Sequence, residues 1–258
     1  MNVLNIKDFK MEIKVLGTGN AFNQQSRMNS SFFIHSGDQN ILIDCGFTVP
    51  LALHNENIDP SSIDMIFITH YHGDHYAGLS SLLLSLKYIY KQQKPLKICG
   101  PGDVKSKIKE LLSVLYNGNE SLLDELAIDF FSVPSEGGLL TIGELEVEVY
   151  KMIHSLKALP VGYVLNLNEF KIGFSGDTCW HSGVEQFLSD CDKAIIECSF
   201  SEKIGEGHIS VDELEASAKI QQKKKDIYLT HLYSESSKKA KDFGYNVLED
   251  GDRLNFKS

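Results

Sequence analysis

The sequence is poor in several features, and each absence narrows the class of protein. Its five cysteines are an odd number and form no C-x-x-C pair, which argues against a disulfide framework and favours reduced thiols. No segment approaches the roughly 18 apolar residues of a membrane span. Residues 1–17 carry interspersed Lys and Asp instead of the apolar core of a signal peptide. We therefore expect a cytoplasmic protein with no membrane partner.

Positive charge is also scarce. The chain has 25 Lys+Arg against 35 Asp+Glu, a net charge of −10, which argues against a surface that wraps nucleic acid nonspecifically. Arginine occurs only at Arg27 and Arg253, so there are few candidates for bidentate contacts to phosphate. The charge is unevenly distributed along the chain. Segment 87–109 has seven Lys and one Asp and a net charge of +6, whereas segment 119–148 has eight acids, no basic residue and a net charge of −8. The lysines either form a solvated face or, if they border a functional site, hold a polyanionic substrate.

The remaining composition is that of an ordinary globular protein, and 258 residues suffice for one large core. We find no internal repeat or linker and predict a single domain over residues 1–258. Helices are predicted at 77–92, at 104–115 and from a capping box at Ser210 to about residue 222. Apolar runs predict strands at 11–16, 31–35, 40–44, 63–69, 97–99, 145–153, 162–167, 170–175, 193–197 and 227–230. Strands in both halves with helices between them favour an α/β fold with two sheets.

The most informative segment is Thr69-His-Tyr-His-Gly-Asp-His75, directly after an apolar run. His70 and His72 are two residues apart, so in an extended segment their imidazoles point the same way. Gly73 allows the chain to turn, which lets Asp74 and His75 face a second position beside the first. Neutral imidazole and carboxylate are ligands that divalent transition metals accept. The segment therefore predicts a metal site.

This segment matches the pattern T-H-x-H-x-D-H, and the chain resembles the metallo-β-lactamase superfamily. Further parts of the family pattern follow in order over residues 11–256, namely Asp44 in LIDCG, His154 in MIHS, Asp177 in SGDT, His231 in THL and the acidic residues 249–252. The resemblance implies an α/β fold, the four-layer αββα sandwich of the family, with two divalent metal ions. Zinc is the first choice, and manganese or iron are alternatives.

The same resemblance implies a role for each matched residue. It assigns His70, His72 and His154 to the first metal, Asp74, His75 and His231 to the second, and Asp177 to a bridging position. Asp74 is also counted as catalytic, because its charge and that of Asp177 keep two cations close together. Asp44 would support a metal-ligating histidine from behind.

Two further segments resemble the ribonuclease Z and phosphodiesterase branch of the superfamily. The residues ECSF at 197–200, followed by GHIS at 207–210, match a segment whose histidine, here His208, donates a proton to the leaving oxygen. The GTGN start at 17–20 with RMNSS at 27–31 resembles the start of the same branch and makes Arg27 a candidate substrate contact. The Pro and Lys that usually precede this arginine in the tRNA enzymes are missing, and no Gly/Pro-rich arm for gripping tRNA is evident.

These features predict a phosphodiester hydrolase that acts on a small molecule or an RNA end. A hydroxide shared by two metal ions would attack phosphorus in line, and His208 would protonate the departing oxygen. Within this class, a tRNA nuclease and a small- or cyclic-nucleotide phosphodiesterase both remain open. The alternative activity is hydrolysis of a carboxylic ester or thioester by the same metals. A metal-holding protein without activity is disfavoured because no expected ligand is missing. A homodimer is possible, since the Leu-rich residues 81–86 suit either a dimer surface or the core.

Overall fold

Two seven-stranded β-sheets form the centre of the protein. The computed structural model describes residues 10–203 and 207–257, so residues 1–9, 204–206 and 258 of the predicted domain lie outside the described residues. In spatial order, the first sheet consists of β14 (Arg253–Lys257), β1 (Lys10–Gly17), β2 (Ser31–Ser36), β3 (Gln39–Ile43), β4 (Met65–Phe67), β5 (Leu96–Pro101) and β6 (Ile128–Val133). The extent of the domain over 1–258 stays a prediction.

The second sheet repeats the topology of the first. In spatial order, it consists of β7 (Gly138–Ile142), β8 (Leu145–Lys151), β9 (Val161–Leu167), β10 (Phe170–Phe174), β11 (Lys193–Glu197), β12 (Ile227–Thr230) and β13 (Asn246–Val247). Each sheet has three antiparallel pairings followed by three parallel ones. The sequence shows no repeat because this similarity lies in the order and direction of the strands.

Helices cover the outer face of each sheet. The helices of the described residues are α1 (Val49–Asn55), α2 (Gly73–Tyr76), α3 (Leu79–Tyr88), α4 (Val104–Leu115), α5 (Leu122–Glu125), α6 (Ser182–Ser189), α7 (Val211–Ala216), α8 (Ala218–Lys223) and α9 (Ser234–Asp242). One apolar cluster lies between the sheets, a second joins α1, α3, α4 and α5 to the first sheet, and a third joins helices α6 to α9 to the second sheet. The layers therefore run helix, sheet, sheet, helix, which confirms the predicted α/β four-layer αββα sandwich.

The central strands are apolar on both faces because both faces are covered. In β4, Met65 and Phe67 pack between the sheets, whereas Ile66 points into the outer cluster under the helices. This explains the continuous apolar run, which is typical of parallel strands buried on two sides. Tyr163 of β9 joins the two sheets directly, because its hydroxyl donates to the carbonyl oxygen of Ile68 at 2.8 Å.

Most predicted elements are present, and the differences have local causes. The predicted strand at 63–69 is shorter, because after Phe67 the chain leaves the ladder toward the histidine-rich segment. The capping box at Ser210 forms as predicted, but the helix is interrupted at Ser217, whose side chain accepts a hydrogen bond from the Ile220 backbone and caps the next helix. Helix α9 was not predicted, because its buried residues, Ser236, Ser237 and Ala240, are small or polar.

The Leu-rich residues 81–86 belong to the core. Leu82, Leu83 and Leu86 of α3 are buried in the cluster between the helices and the first sheet. The homodimer stays a prediction. Among the helices of residues 10–203 and 207–257, none combines the length and apolarity that a bilayer crossing requires.

Candidate active site

The histidine-rich segment lies at the carboxyl edge of the first sheet. After β4 ends, His70 and His72 follow in extended chain, and α2 then carries Asp74 and His75. A Cβ on Gly46 would lie 1.9 Å from the Asp74 carbonyl oxygen, so the close approach of the neighbouring loop requires glycine. The segment is packed tightly enough that His70, Asp74 and His75 are all buried.

The second sheet presents its residues at the same edge. His154, Asp177 and His231 follow strands β8, β10 and β12 respectively, and ligands commonly bind at the carboxyl ends of strands in such sheets. Gly176 has a φ of +58°, and a Cβ there would lie 2.6 Å from Thr69 Cβ. Glycine at this position therefore lets Asp177 reach the histidine-rich segment of the other sheet.

Two site residues hold a left-handed backbone conformation without being glycine. The φ angles are 58° for Asp44 and 63° for His231, a region that costs most side chains energy. Such strain persists only where the surroundings enforce it, and it concentrates at functional sites. For His231, the backbone N–H donates to the Thr18 carbonyl oxygen at 3.0 Å.

The seven residues predicted as metal ligands come together in two groups. The first contains His70, His72, His154 and Asp177, and the second contains Asp74, His75, Asp177 and His231, with candidate ligand atoms within 4.8 Å of one another in each. Asp177 belongs to both groups. Its Oδ1 lies 3.4 Å from His75 Nε2, and its Oδ2 lies 3.7 Å from His70 Nε2.

Several atoms that face these groups make no hydrogen bond within the described part of the chain. His70 Nε2, His75 Nε2 and Asp177 Oδ1 are buried and make no hydrogen bond there. Buried polar atoms without partners are costly, and each needs an explanation. Imidazole nitrogens and carboxylate oxygens that converge without partners fit divalent cations, which these donor types bind.

The pKa values of two histidines favour the neutral, ligating form. Burial lowers the pKa of His70 well below its usual value, and the nearby His75 lowers it further. Burial also lowers the pKa of His72, with a further decrease from His154. Both imidazoles therefore keep a lone pair that a metal ion can accept.

The second group concentrates negative charge. Burial raises the pKa of Asp74 and Asp177, but the neighbouring histidines outweigh it and hold both pKa values below the usual range. Burial by itself lowers the pKa of His75, whereas the surrounding carboxylates of Asp177, Asp44 and Asp74 raise it well above the usual value. The group thus favours a positive charge at its centre.

Asp44 supports this group from behind. Its carboxylate accepts hydrogen bonds from the Thr69 backbone N–H at 2.7 Å, from Thr69 Oγ1 at 2.8 Å and from His75 Nδ1 at 2.7 Å. The contact to Nδ1 leaves Nε2 of His75 directed at Asp74 and Asp177. Carboxylates commonly orient metal-binding histidines in this way. The supporting role of Asp44 stays a prediction, and this geometry suits it.

His208 lies beside both groups. Its ring centroid is 4.7 Å from that of His154 and 5.4 Å from that of His231. The Nδ1–H of His208 donates to Glu197 Oε1 at 2.9 Å. Burial lowers the pKa of His208, but this hydrogen bond and the charge of Glu197 raise it to about 9.

Glu197 is the site residue that was not predicted from the sequence. Its side chain is 1% exposed, and its two oxygens accept hydrogen bonds from His208 Nδ1, the Thr178, Ser199 and Ile209 backbone N–H groups, and Ser199 Oγ. Although Glu197, His208 and His231 also form a candidate metal group, these hydrogen bonds already occupy the carboxylate. Glu197 therefore positions its neighbours. The available signal was an acid at the end of an apolar strand, in the segment that was matched for His208.

A comparison with models of known protein families identifies the family of the chain. The family model for the anti-Pycsar protein Apyc1 matches residues 11–250. The chain belongs to this family. The Apyc1 protein of Bacillus phage BSP38 is 29% identical over 216 residues, which are 79% of this chain and 82% of the phage protein.

Two further comparisons relate this Apyc1-family chain to a hydrolase and to a protein of the predicted fold. Ribonuclease Z of Methanococcus maripaludis is 32% identical over 149 residues, which are 58% of this chain and 47% of that enzyme. The structure of the metallo-β-lactamase fold protein YhfI from Bacillus subtilis has a TM-score of 0.75 at 21% identity, covering 96% of this chain and all of that one. The predictions of a metallo-β-lactamase fold and of an enzyme of the metal-binding hydrolase class are thus confirmed. The choice of zinc, the count of two ions and the cytoplasmic location stay predictions.

In this Apyc1-family member, Arg27 is engaged within the fold. Its Nη1 donates to Thr18 Oγ1 at 2.8 Å and to the Leu248 carbonyl oxygen at 3.2 Å, and its Nη2 pairs with Glu249. Only 11% of the Arg27 side chain is exposed. These contacts join the glycine-rich loop after β1 to the acidic turn after β13. The contact of Arg27 with substrate stays a prediction.

Four of the seven lysines in segment 87–109 form ion pairs with acids. The ion pairs are Lys87–Glu125 at 3.1 Å, Lys94–Asp64 at 2.8 Å, Lys105–Asp124 at 2.9 Å and Lys107–Glu110 at 2.9 Å. Two of the four partners come from the acidic segment 119–148. The two oppositely charged segments therefore neutralise each other in part, which weakens the case for a polyanion-binding face.

Proposed function

We propose that the protein is a phosphodiester hydrolase that uses two divalent ions, with zinc as the first choice. The observation that carries this proposal is the convergence of seven buried or half-buried ligand side chains into two groups that share Asp177. When bound, such a pair of ions lowers the pKa of water toward about 7 and offsets negative charge on the reacting phosphate.

In this proposal, the residues of the two sheets have distinct tasks. His70, His72 and His154 would hold the first ion, Asp74, His75 and His231 would hold the second, and Asp177 could contribute to either. Asp74 and Asp177 remain ionised and would offset the positive charge of bound ions. Asp44 orients His75 through the contact at Nδ1.

His208 is the proposed proton donor to the leaving oxygen. It stands beside both groups, and its Nδ1 is held by Glu197, so its Nε2 is the nitrogen that can deliver a proton. A positioned acid of this kind matters most when the leaving group is a poor one, such as a sugar hydroxyl. Thiolates leave readily without such help, so the His208–Glu197 pair favours a phosphodiester over a thioester substrate.

Within the phosphodiesterase class, we propose a small nucleotide diester in preference to tRNA. The ion-paired lysines of segment 87–109 support this choice, because binding a long RNA depends on many free cations that contact phosphates. The alternative activity is hydrolysis of a carboxylic ester or thioester at the same groups.

The test compares His208→Ala with the parent protein loaded with zinc or manganese. We expect unchanged metal content and turnover of a 3′,5′-cyclic nucleotide lowered by about 10²- to 10⁴-fold. The loss should be smaller for bis(p-nitrophenyl) phosphate, whose leaving group needs no proton. Precursor tRNA and a thioester are assayed in parallel.

His35→Ala is the matched control, because His35 is an exposed histidine of β2 whose side chain is hydrogen-bonded to Asn40 of the neighbouring strand. If His208→Ala lowers the turnover of both diesters equally, or of neither, then His208 is not the proton donor. A parent protein that cleaves the thioester but no diester would favour the alternative activity.

A further inference from the structure

A small cavity lies between the two sheets, beneath the ligand groups. Its volume is about 10 Å³, which is about the smallest volume that holds one water molecule. Among the described residues, His75 and Asp177 are the two proposed ligands that line it. Its apolar wall includes Phe32 and Phe174, whose rings lie 5.5 Å apart in the cluster between the sheets. The cavity therefore lies on the core side of the ligand groups.

Two hydroxyl groups from different sheets meet at the polar wall of this cavity. Ser30 directly precedes β2 of the first sheet, and Thr230 is the last residue of β12 in the second. Both residues line the cavity, and only 6% of Ser30 and 4% of Thr230 are exposed. Their hydroxyl oxygens lie 3.2 Å apart, in a hydrogen bond in which either oxygen can be the donor. The pair therefore joins the two sheets at the cavity.

One proton of this hydroxyl pair has no acceptor in the described part of the chain. Each hydroxyl carries one proton, and the hydrogen bond between the two oxygens uses one of them. Within residues 10–203 and 207–257, neither oxygen makes a second hydrogen bond. A buried donor without an acceptor is costly, so the second proton requires an acceptor in the cavity.

The same cavity offers acceptors that lack a donor. Asp177 Oδ1 is buried and makes no hydrogen bond within the described residues, and the two lone pairs of a carboxylate oxygen let it accept a hydrogen bond and also bind an ion. Ser175, which also lines the cavity, donates from Oγ to the Gly176 carbonyl oxygen at 2.6 Å and accepts there from the Glu197 backbone N–H at 3.1 Å. One lone pair of Ser175 Oγ is therefore free. An occupant that accepts one hydrogen bond and donates two would satisfy all of these groups.

We propose that one water molecule binds in this cavity and bridges the Ser30–Thr230 pair to Asp177 and Ser175. Water accepts a hydrogen bond and donates two, whereas a metal cation or an ammonium ion has no lone pair for the hydroxyl proton. Buried waters typically make about three hydrogen bonds to polar groups that otherwise lack partners. The water holds Asp177 from the core side and so fixes the carboxylate that belongs to both ligand groups. The site is independent of the proposed function, because it requires neither bound ions nor a substrate.

A crystal structure of the zinc-loaded protein tests the site directly. We expect one density peak in the cavity, about 2.5–3.0 Å from a hydroxyl oxygen of the pair and from Asp177, without the anomalous scattering of zinc. Ordered cavity side chains with no peak between them, or a peak that scatters as zinc, would overturn the proposal. The same peak is expected in the chelator-treated protein, so failure of the proposed function leaves this test intact.

Variants of the hydroxyl pair test the site in solution. Ser30→Ala and Thr230→Val each remove one hydroxyl, and the remaining hydroxyl still has the water as its acceptor, whereas the double variant leaves no donor at this wall. Oxygen-17 magnetic relaxation dispersion counts long-lived internal waters. It should give the parent number for each single variant and one water fewer for the double variant. An equal number in the parent and in a folded double variant would contradict the bound water.

Ser132→Ala/Thr141→Val is the matched control, because it makes the same changes at exposed residues of β6 and β7. This control should keep the parent number of internal waters. If the Ser30→Ala/Thr230→Val protein does not fold, the crystal structure of the parent decides the proposal by itself.

Metal affinity tests whether the water positions Asp177. The Ser30→Ala/Thr230→Val protein should bind zinc with a dissociation constant raised about 10- to 100-fold, as expected when a group that orients a ligand is lost. Thr230→Val alone, although adjacent to His231 in the chain, should stay close to the parent value because the water remains. An unchanged constant in a double variant that has lost the water would overturn the positioning of Asp177 by this water.

Discussion

Glu197 connects the proposed proton donor to a proposed metal ligand. One of its oxygens accepts from His208, and the other accepts from Ser199, whose hydroxyl lies 3.0 Å from His231 Nδ1. A buried carboxylate of this kind fixes both the orientation of an imidazole and the ring nitrogen that carries the proton. The cost of burying its charge is offset by the hydrogen bonds that it accepts.

At the residue scale, we predict that Glu197→Gln acts through His208. The amide keeps the shape of the side chain but removes the charge that holds a proton on His208. Turnover of a cyclic nucleotide should fall by about 10²-fold or more, with a smaller loss for bis(p-nitrophenyl) phosphate. Combined with His208→Ala, it should cause little additional loss, because both changes remove the same proton transfer.

Glu148→Gln is the matched control for Glu197→Gln, since Glu148 is an acid of the second sheet that pairs with Lys171. Fully additive losses in the double variant would contradict a shared role. A large loss of bound metal in Glu197→Gln would instead indicate that Glu197 acts mainly by positioning His231 through Ser199.

At the element scale, the acidic turn after β13 is hydrogen-bonded to the glycine-rich loop after β1. The carboxylate of Asp250 accepts hydrogen bonds from the Thr18 backbone N–H at 2.8 Å, from Thr18 Oγ1 at 2.7 Å and from the Met28 backbone N–H at 2.7 Å. The carbonyl oxygen of Thr18 in turn accepts from the backbone N–H of His231. The acidic turn after β13 therefore holds the glycine-rich loop in place, and the loop holds a proposed ligand.

We predict that Asp250→Ala destabilises the protein and weakens metal binding. Loss of the carboxylate leaves two backbone N–H groups and one hydroxyl without their acceptor, which should cost about 1–3 kcal/mol of unfolding free energy. Denaturant unfolding of the metal-loaded protein and metal titration of the chelator-treated protein measure the two effects. Asp242→Ala, a change of an exposed acid at the end of α9, should alter neither. Unchanged stability in Asp250→Ala would show that the loop holds its shape without this turn.

At the scale of the whole molecule, four buried cysteines are distributed over all three apolar clusters. Cys99 lies between the sheets, Cys45 lies under the helices of the first sheet, and Cys191 and Cys198 lie under those of the second. Burial raises the pKa of Cys99 and of Cys191 to about 12. Since the thiolate is the reactive form, these thiols are inert while the layers stay packed.

We predict that the folded protein shows at most one fast-reacting thiol with dithionitrobenzoate at pH 8. The partly exposed Cys179 is the candidate, and Cys179→Ser should abolish that fast phase. All five thiols should react in guanidinium chloride. Because the buried thiols have pKa values above those of an unfolded chain, their contribution to stability is complete below about pH 8.5 and decreases as the pH rises above it. Two or more fast thiols in the folded protein would mean that a layer opens.

The sequence by itself determined the fold class and the set of candidate ligands. Metal chemistry requires particular residue types at short spacings, so His70, His72, Asp74 and His75 are visible as one segment. His154, Asp177 and His231 are recognisable because the resemblance to the metallo-β-lactamase superfamily implies a ligand role for each of them, in that order along the chain. Strands that are buried on both faces are also visible, because burial demands continuous apolar runs.

Only the tertiary structure decided which distant residues meet. In the sequence, Glu197 does not differ from other acids at strand ends. Its role becomes visible only from its hydrogen bonds with Thr178, His208 and Ser199. The sequence left open whether the lysines of segment 87–109 form a solvated face or a polyanion-binding face, and only their distances to acids show that four of the seven are paired. The rings of Phe200 and Tyr233 stack 5.5 Å apart although the residues are 33 positions apart in the sequence, so no local pattern predicts the contact. Contacts of this kind depend on how whole sheets and loops pack, and no short spacing along the chain encodes them.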